Sequence, residues 1–97
     1  MRIISRKTLK DFWTIYPDSE QALKSWFKEF SNQKWRNIND IKNKYPHASI
    51  IGNNRIIFNI CRNKYRLIVK INIAFQLCYV RFIGTHKEYD IIDVNKI

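Results

Sequence analysis

The run Thr85-His86-Lys87-Glu88-Tyr89-Asp90 holds a histidine, a lysine and a tyrosine directly behind a threonine that is followed three residues later by a glutamate. Thr-x-x-Glu is a capping box, in which two side chains satisfy two backbone N–H groups, so the run starts a short helix. On that register His86 and Tyr89 share a face. His86 and Lys87 fall in the first turn, where free N–H groups and the helix dipole favour an anion such as phosphate. Upstream, Arg66 and Arg81 are side chains suited to grip a phosphate through paired N–H bonds. These types match metal-free RNA cutting. That chemistry asks for a group to take the 2′-hydroxyl proton, a group to protonate the leaving 5′-oxygen, and positive charge on the phosphorane. Histidine serves as base or acid near neutrality, and tyrosine gives or orients a proton. Spacing leaves the roles open, including which of His86 and Tyr89 is the base. A lone histidine at a helix start is often plain surface, Tyr89 can anchor its helix to a sheet, and Arg66 can be a snorkelling strand residue.

The charge distribution points to the same half of the chain. The formal net charge is +10, a self-repulsion that suits a protein whose partner is a polyanion. From Ile41 to Lys87 there is no acidic residue, while nine lysines and arginines fall there. The first 40 residues mix eight basic with five acidic side chains, the pattern of an ordinary solvated surface. Basic strand edges that merely prevent edge pairing are the bland alternative.

The 97-residue length predicts one domain, residues 1–97, with a modest core. Ile3 and Ile4 read as a short first strand. Leu9, Phe12, Trp13 and Tyr16 recur at helical spacing up to Pro17, and Ala22, Leu23, Trp26, Phe27 and Phe30 make a second apolar stripe behind a cap at Asp18 or Ser19. The two helices pack as a hairpin. Trp35 through Asn39 reads as loop, with a helical turn from Asn39 to the break at Pro46. Beyond Pro46 the period changes to two. Ser49–Ile51, Arg55–Ile60, Tyr65–Phe75 and Leu77–Ile83 read as an antiparallel meander. Tyr65, Leu67, Val69, Ile71 and Ile73 then face the helices, and Arg66, Ile68, Lys70, Asn72 and Ala74 the other side. Tyr79 and Arg81 oppose Cys78, Val80 and Phe82, and Arg81 falling beside Arg66 would set two guanidinium groups close together. The fold class is α+β, an N-terminal helical hairpin on a twisted antiparallel sheet.

Other chemistry is poorly supplied. Two histidines and two cysteines lack paired zinc spacing, Gly52 and Gly84 make no phosphate loop, and no serine elbow occurs. No metal and no cofactor is expected. Cys61 and Cys78, among alternating apolar residues, read as core packing. His47, after Pro46, reads as loop surface. No long apolar run suggests a membrane segment or a signal peptide, so the expected compartment is the cytoplasm.

The opening Met1-Arg2-Ile3-Ile4-Ser5-Arg6-Lys7, Tyr16-Pro17, Phe58-Asn59, Asn63-Lys64-Tyr65-Arg66-Leu67-Ile68, Tyr79-Val80-Arg81 and above all Thr85-His86-Lys87-Glu88-Tyr89-Asp90 resemble the HigB toxins of type II toxin-antitoxin systems. The resemblance spans nearly the whole chain, and the T-H-x-E-Y-D ending is its most specific part. It implies a RelE-like fold, cleavage of mRNA, commonly on translating ribosomes, and neutralisation by a HigA-like antitoxin with a helix-turn-helix domain. It also implies that Arg66, Arg81, His86 and Tyr89 stand where family members keep basic, histidine and tyrosine residues. Read as a ribosome-dependent endonuclease, the chain is expected to use these four for catalysis and Arg55, Asn59, Lys64, Lys70 and Lys87 for binding RNA. Cys61-Arg62 stands where relatives often place glycines. Two other functions stay open. One is a non-catalytic RNA- or ribosome-binding module that stacks bases on Tyr65 or Tyr79; the other is a structural subunit whose basic face docks an acidic protein.

Overall fold

A computed structural model describes all residues, Met1–Ile97. Strand β1 (Arg2–Ile4) leads into helix α1 (Arg6–Ile15), a 3-10 turn (Pro17–Ser19) and helix α2 (Glu20–Ser31). Helix α3 (Ile38–Lys44) precedes strands β2 (Ser49–Ile51), β3 (Arg55–Ile60), β4 (Tyr65–Asn72) and β5 (Leu77–Thr85). Helix α4 (His86–Asp90) and a 3-10 turn (Val94–Lys96) follow. The apolar stripes decide the packing: Leu9, Phe12 and Trp13 of α1 and Leu23, Trp26 and Phe30 of α2 are buried against the sheet. Phe30 sits at the centre of an aromatic group, with ring centroids 5.1 Å from Trp26, 5.1 Å from Trp35 and 5.6 Å from Phe58.

The sheet order is β1-β5-β4-β3-β2. β2 to β5 form the expected antiparallel meander. β1 adds a fifth strand in parallel to β5, so the sheet as a whole is mixed. The chain leaves β1 through the helices before any other strand exists, and the free edge of β5 is where it pairs. β4 ends at Asn72, short of the predicted Phe75, because the Asn72 carboxamide oxygen accepts the Phe75 N–H (3.1 Å) and starts a turn.

Both proposed caps of α2 act elsewhere. The Ser19 hydroxyl donates back to the Tyr16 carbonyl at 2.7 Å, and the Asp18 carboxylate reaches across to the sheet. The third helix starts one residue before the predicted Asn39, since Asn37 is its cap and accepts the Asp40 N–H at 2.9 Å. Cys78 is a core residue, fully buried, with its thiol pushed up to about 12 by burial. Cys61, half-buried in the β3–β4 turn, packs against the edge of the core and donates its S–H to the Asp18 carbonyl. That turn runs through three left-handed residues, Cys61, Arg62 and Asn63 (φ 53°, 54° and 73°), conformations that glycine adopts without steric cost.

Asp18 ties the helical layer to β4. It pairs with the Lys64 ammonium and accepts from the Tyr65 hydroxyl at 2.6 Å. The hydrogen bond from Lys64, and next that from Tyr65, holds the Asp18 carboxyl below the usual aspartate range, and Asp18 in turn raises Lys64. Asp18 therefore contributes stability that is complete above the ordinary aspartate pKa and is lost as the pH falls through its lower folded value. In urea titrations, the gap between the wild-type and Asp18→Asn midpoints should be widest near neutrality and close below about pH 4. A gap of the same size at pH 7 and pH 2 would show that the carboxylate charge is not its origin.

Candidate active site

Cross-strand register divides the outer face of the sheet, the one turned away from α1 and α2, into three rows. Asn59, Arg66 and Gly84 form the first; Ile57, Ile68 and Phe82 the second; Arg55, Lys70 and Tyr79 the third. The middle row is apolar, with Ile57 and Ile68 buried. The face is thus two polar zones separated by an apolar strip.

A bulge on β5 creates this pattern. Ile68 lies opposite Phe82 while Val69 lies opposite Val80, which leaves Arg81 as an extra residue. Phe82 is thereby moved to the face of Tyr79, contrary to simple alternation. Its ring lies so close to Gly84 that a β-carbon there would meet the ring at 2.5 Å, which is why this position is glycine. The bulge also corrects the expectation of paired guanidinium groups. Arg66 faces Gly84, and Arg81 lies three residues away along β5, about 10 Å in an extended strand.

In the first zone Arg66, His86 and Tyr89 meet. The half-buried Arg66 places one terminal guanidinium nitrogen 2.7 Å from His86 Nε2 and donates from the other to the Asn63 carbonyl at 3.2 Å. Its Cζ lies 5.8 Å from the centre of the Tyr89 ring, a cation–π arrangement that fixes the plane of the guanidinium. Guanidinium has only donors, so in this contact the His86 Nε2 lone pair is turned toward Arg66 as the acceptor. Helix α4 presents both partners because the capping box forms: Thr85 Oγ1 accepts from the Glu88 N–H (3.3 Å) and Glu88 Oε1 from the Thr85 N–H (2.9 Å). The helix is only five residues long, and the box uses the Glu88 N–H, so the anion-attracting power of this site lies in side chains more than in its backbone.

The other singled-out residues are dispersed. Asn59 is beside Arg66 and donates to the His47 carbonyl at 3.3 Å. Lys87 is exposed on α4. Lys70 and Arg81 belong to the far zone. Lys64 is held by Asp18. Arg55 is buried and donates twice, at 2.8 and 2.5 Å, to the Ile97 carbonyl, so it secures the chain's last turn against β3. Sequence reading also passed over a polar cleft of about 370 Å³ lined by His47, Asn59, Arg62 and Asn63, which adjoins Arg66 through Asn59 and Asn63. The signal was present in the basic and amide residues of the Cys61–Asn63 turn, but His47 comes from a distant loop.

The small α+β fold brings an arginine, a histidine and a tyrosine together at one end of the outer sheet face, side chains suited to holding a phosphate. The model of the HigB toxin family, the RelE-like toxic component of a toxin-antitoxin system, matches residues 19–92. The chain belongs to that family. Among its relatives are the mRNA interferase toxin HigB of Escherichia coli (strain K12) and the mRNA interferase HigB of Shigella flexneri. Each is 27% identical over 92 residues, covering 93% of this chain and 88% of the relative. No helix is long and apolar enough to cross a membrane.

Proposed function

We propose that this chain is the toxin of a type II pair and acts as a metal-independent endonuclease on mRNA. The observation that carries the reading is the contact of Arg66 with both His86 and Tyr89 at the solvent-accessible end of the outer sheet face. A phosphate arriving at Arg66 competes for the guanidinium N–H groups and releases the lone pair of His86 Nε2. That nitrogen takes the 2′-hydroxyl proton; the 2′-oxygen forms its bond to phosphorus as the bond to the 5′-oxygen breaks. Tyr89 gives the leaving oxygen its proton, and Arg66 neutralises the phosphorane. The products are a 2′,3′-cyclic phosphate and a 5′-hydroxyl, and exchange with water restores both side chains. Lys87 and Asn59 flank the phosphate.

The reading includes a ribosome-bound substrate, a HigA-like helix-turn-helix antitoxin and action in the cytoplasm, in keeping with the family and with the names of the relatives. Purified protein should cut mRNA on programmed ribosomes and leave 2′,3′-cyclic phosphate and 5′-hydroxyl ends, the products of attack by the 2′-hydroxyl rather than by a metal-activated water. Cut ends that carry 3′-hydroxyl and 5′-phosphate, or growth arrest with intact mRNA, would overturn it.

A further inference from the structure

We infer that residues 91–97 form a strap across the outer face of the sheet, which bars a long RNA chain from that face until it lifts. This rests on reading the Arg66 cluster as the site that takes the RNA. Both ends of the segment are anchored on the same face. At one end Tyr89 lies against Arg66 in the first row; at the other the Ile97 carbonyl accepts two hydrogen bonds, at 2.8 and 2.5 Å, from Arg55 in the third. These rows are four residues apart, about 13 Å along β4, so the chain between the two anchors passes over the middle row.

Burial marks what the segment covers. Ile57 and Ile68 of the middle row are only 6% and 0% exposed, yet they stand outside the core that α1, α2 and α3 form on the other face. Only α4 and the residues after it remain to shield them. Within the segment Ile92 and Val94 are half-buried, whereas Ile91, Asp93 and Asn95 are exposed, the alternation of a chain laid with one side on the sheet.

Two features make this segment a strap and not a further strand. Its backbone bonds are local, from the Ile92 N–H to the Tyr89 carbonyl (3.3 Å) and from the Lys96 N–H to the Asp93 carbonyl (3.0 Å), and the Arg55 side chain is its polar tie to the sheet. Such weakly tied segments open at lower free energy than the sheet beneath them. The segment also brings the wrong charge for RNA. No acid occurs from Ile41 to Lys87, but Asp93 falls midway between the anchors, with Arg66 on one side and Lys70 on the other. Its ion pair, to Lys96 at 3.9 Å, is local. With the strap down, a polyanion reaching from Arg66 toward Lys70 and Arg81 meets an apolar ridge that carries a carboxylate. Once it lifts, the two basic zones become one track, so the affinity for a long strand is reduced by the fraction of molecules in which the strap is down.

The test uses two fully 2′-O-methylated oligouridylates, which cannot be cut: a dinucleotide, short enough for the Arg66 cluster alone, and an octamer that spans both zones. Ile92→Ser combined with Val94→Ser loosens the strap, and should raise octamer affinity by about fivefold or more while dinucleotide affinity stays within about twofold. A merely structural tail would give the opposite, a loss of binding along with stability. Val94→Cys, close to valine in volume, supplies a second readout that does not depend on the double variant folding. Its introduced thiol should react with a maleimide several-fold faster when the octamer is bound and no faster with the dinucleotide, peptide mapping separating it from Cys61 and Cys78. Octamer affinity that stays the same or falls in a folded double variant overturns the proposal, as does an octamer that protects the thiol or leaves its rate unchanged. Unmodified RNA left uncut by a chain whose strap the octamer lifts would remove the endonuclease reading and leave the strap. RNA cut while the thiol reacts equally in the free and bound chain would do the reverse.

Discussion

Arg66→Ala should reduce RNA cleavage by about a hundred- to a thousandfold, the scale of losing one preorganised contact to a developing oxyanion. The side chain does three things at once. In the proposed mechanism it neutralises the phosphorane and holds His86 Nε2, 2.7 Å away, until the phosphate arrives, and it takes its own orientation from Tyr89 and the Asn63 carbonyl. Arg66→Lys keeps the charge and loses the planar fork, so it should recover only part of the rate. The loss should fall on kcat more than on KM, because the interaction strengthens as charge builds on phosphorus. Single-turnover cleavage of a labelled mRNA, with urea denaturation as the control for folding, decides the matter. A rate for Arg66→Ala within a few-fold of wild type would remove the site assignment. Tyr89→Phe separates two roles of that residue: the ring under Arg66 stays while the proton donor goes.

The largest effect on stability is expected at Phe30. It is fully buried and touches Trp26, Trp35, Tyr45 and Phe58, so it joins α2 to the sheet and to the segment around α3. Phe30→Ala should cost about 3–5 kcal/mol, from lost transfer energy and the cavity left behind. For a domain of this size that lowers Tm by on the order of 20 °C. Set against a total stability of about 5–15 kcal/mol, the variant stands near unfolding. Phe75→Ala is the matched control: Phe75 is 75% exposed, and its loss should change stability by less than about 0.5 kcal/mol. Thermal unfolding of the pair checks both, and a Phe30→Ala midpoint close to wild type would mean that the aromatic group is not the keystone of the core.

The local devices were legible in the amino-acid sequence because their partners are neighbours in the chain. The capping box at Thr85 and Glu88 forms as read, and the apolar stripes of α1 and α2 face the sheet. The period-two run beyond Pro46 became the meander. Acid-free composition located the basic face in the same way, as a property of residue types. Where a residue had competing partners, local reading failed. Asp18 and Ser19 both suit a helix cap, yet Ser19 turns back to Tyr16 and Asp18 pairs with residues 46 and 47 positions on.

The cluster of Arg66, His86 and Tyr89 illustrates the division. His86 and Tyr89 were placed on one face by helical geometry alone, and the α+β class by the change of period. Which arginine joins them was a tertiary decision. Strand alternation treats Arg66 and Arg81 alike, but a single bulge at Arg81 shifts the parity of β5, sends Phe82 to the outer face and separates the two guanidinium groups. No residue type marks that bulge in advance. Likewise, charge counts Arg55, Lys64 and Lys70 equally, while folding gives Arg55 to the Ile97 carbonyl and Lys64 to Asp18 and leaves Lys70 free. The sequence by itself determined the elements, the basic half and the helix that carries His86. Only the tertiary structure decided which cations remain unpaired on the open face, because the partners that neutralise the others lie more than forty residues away and are chosen by packing.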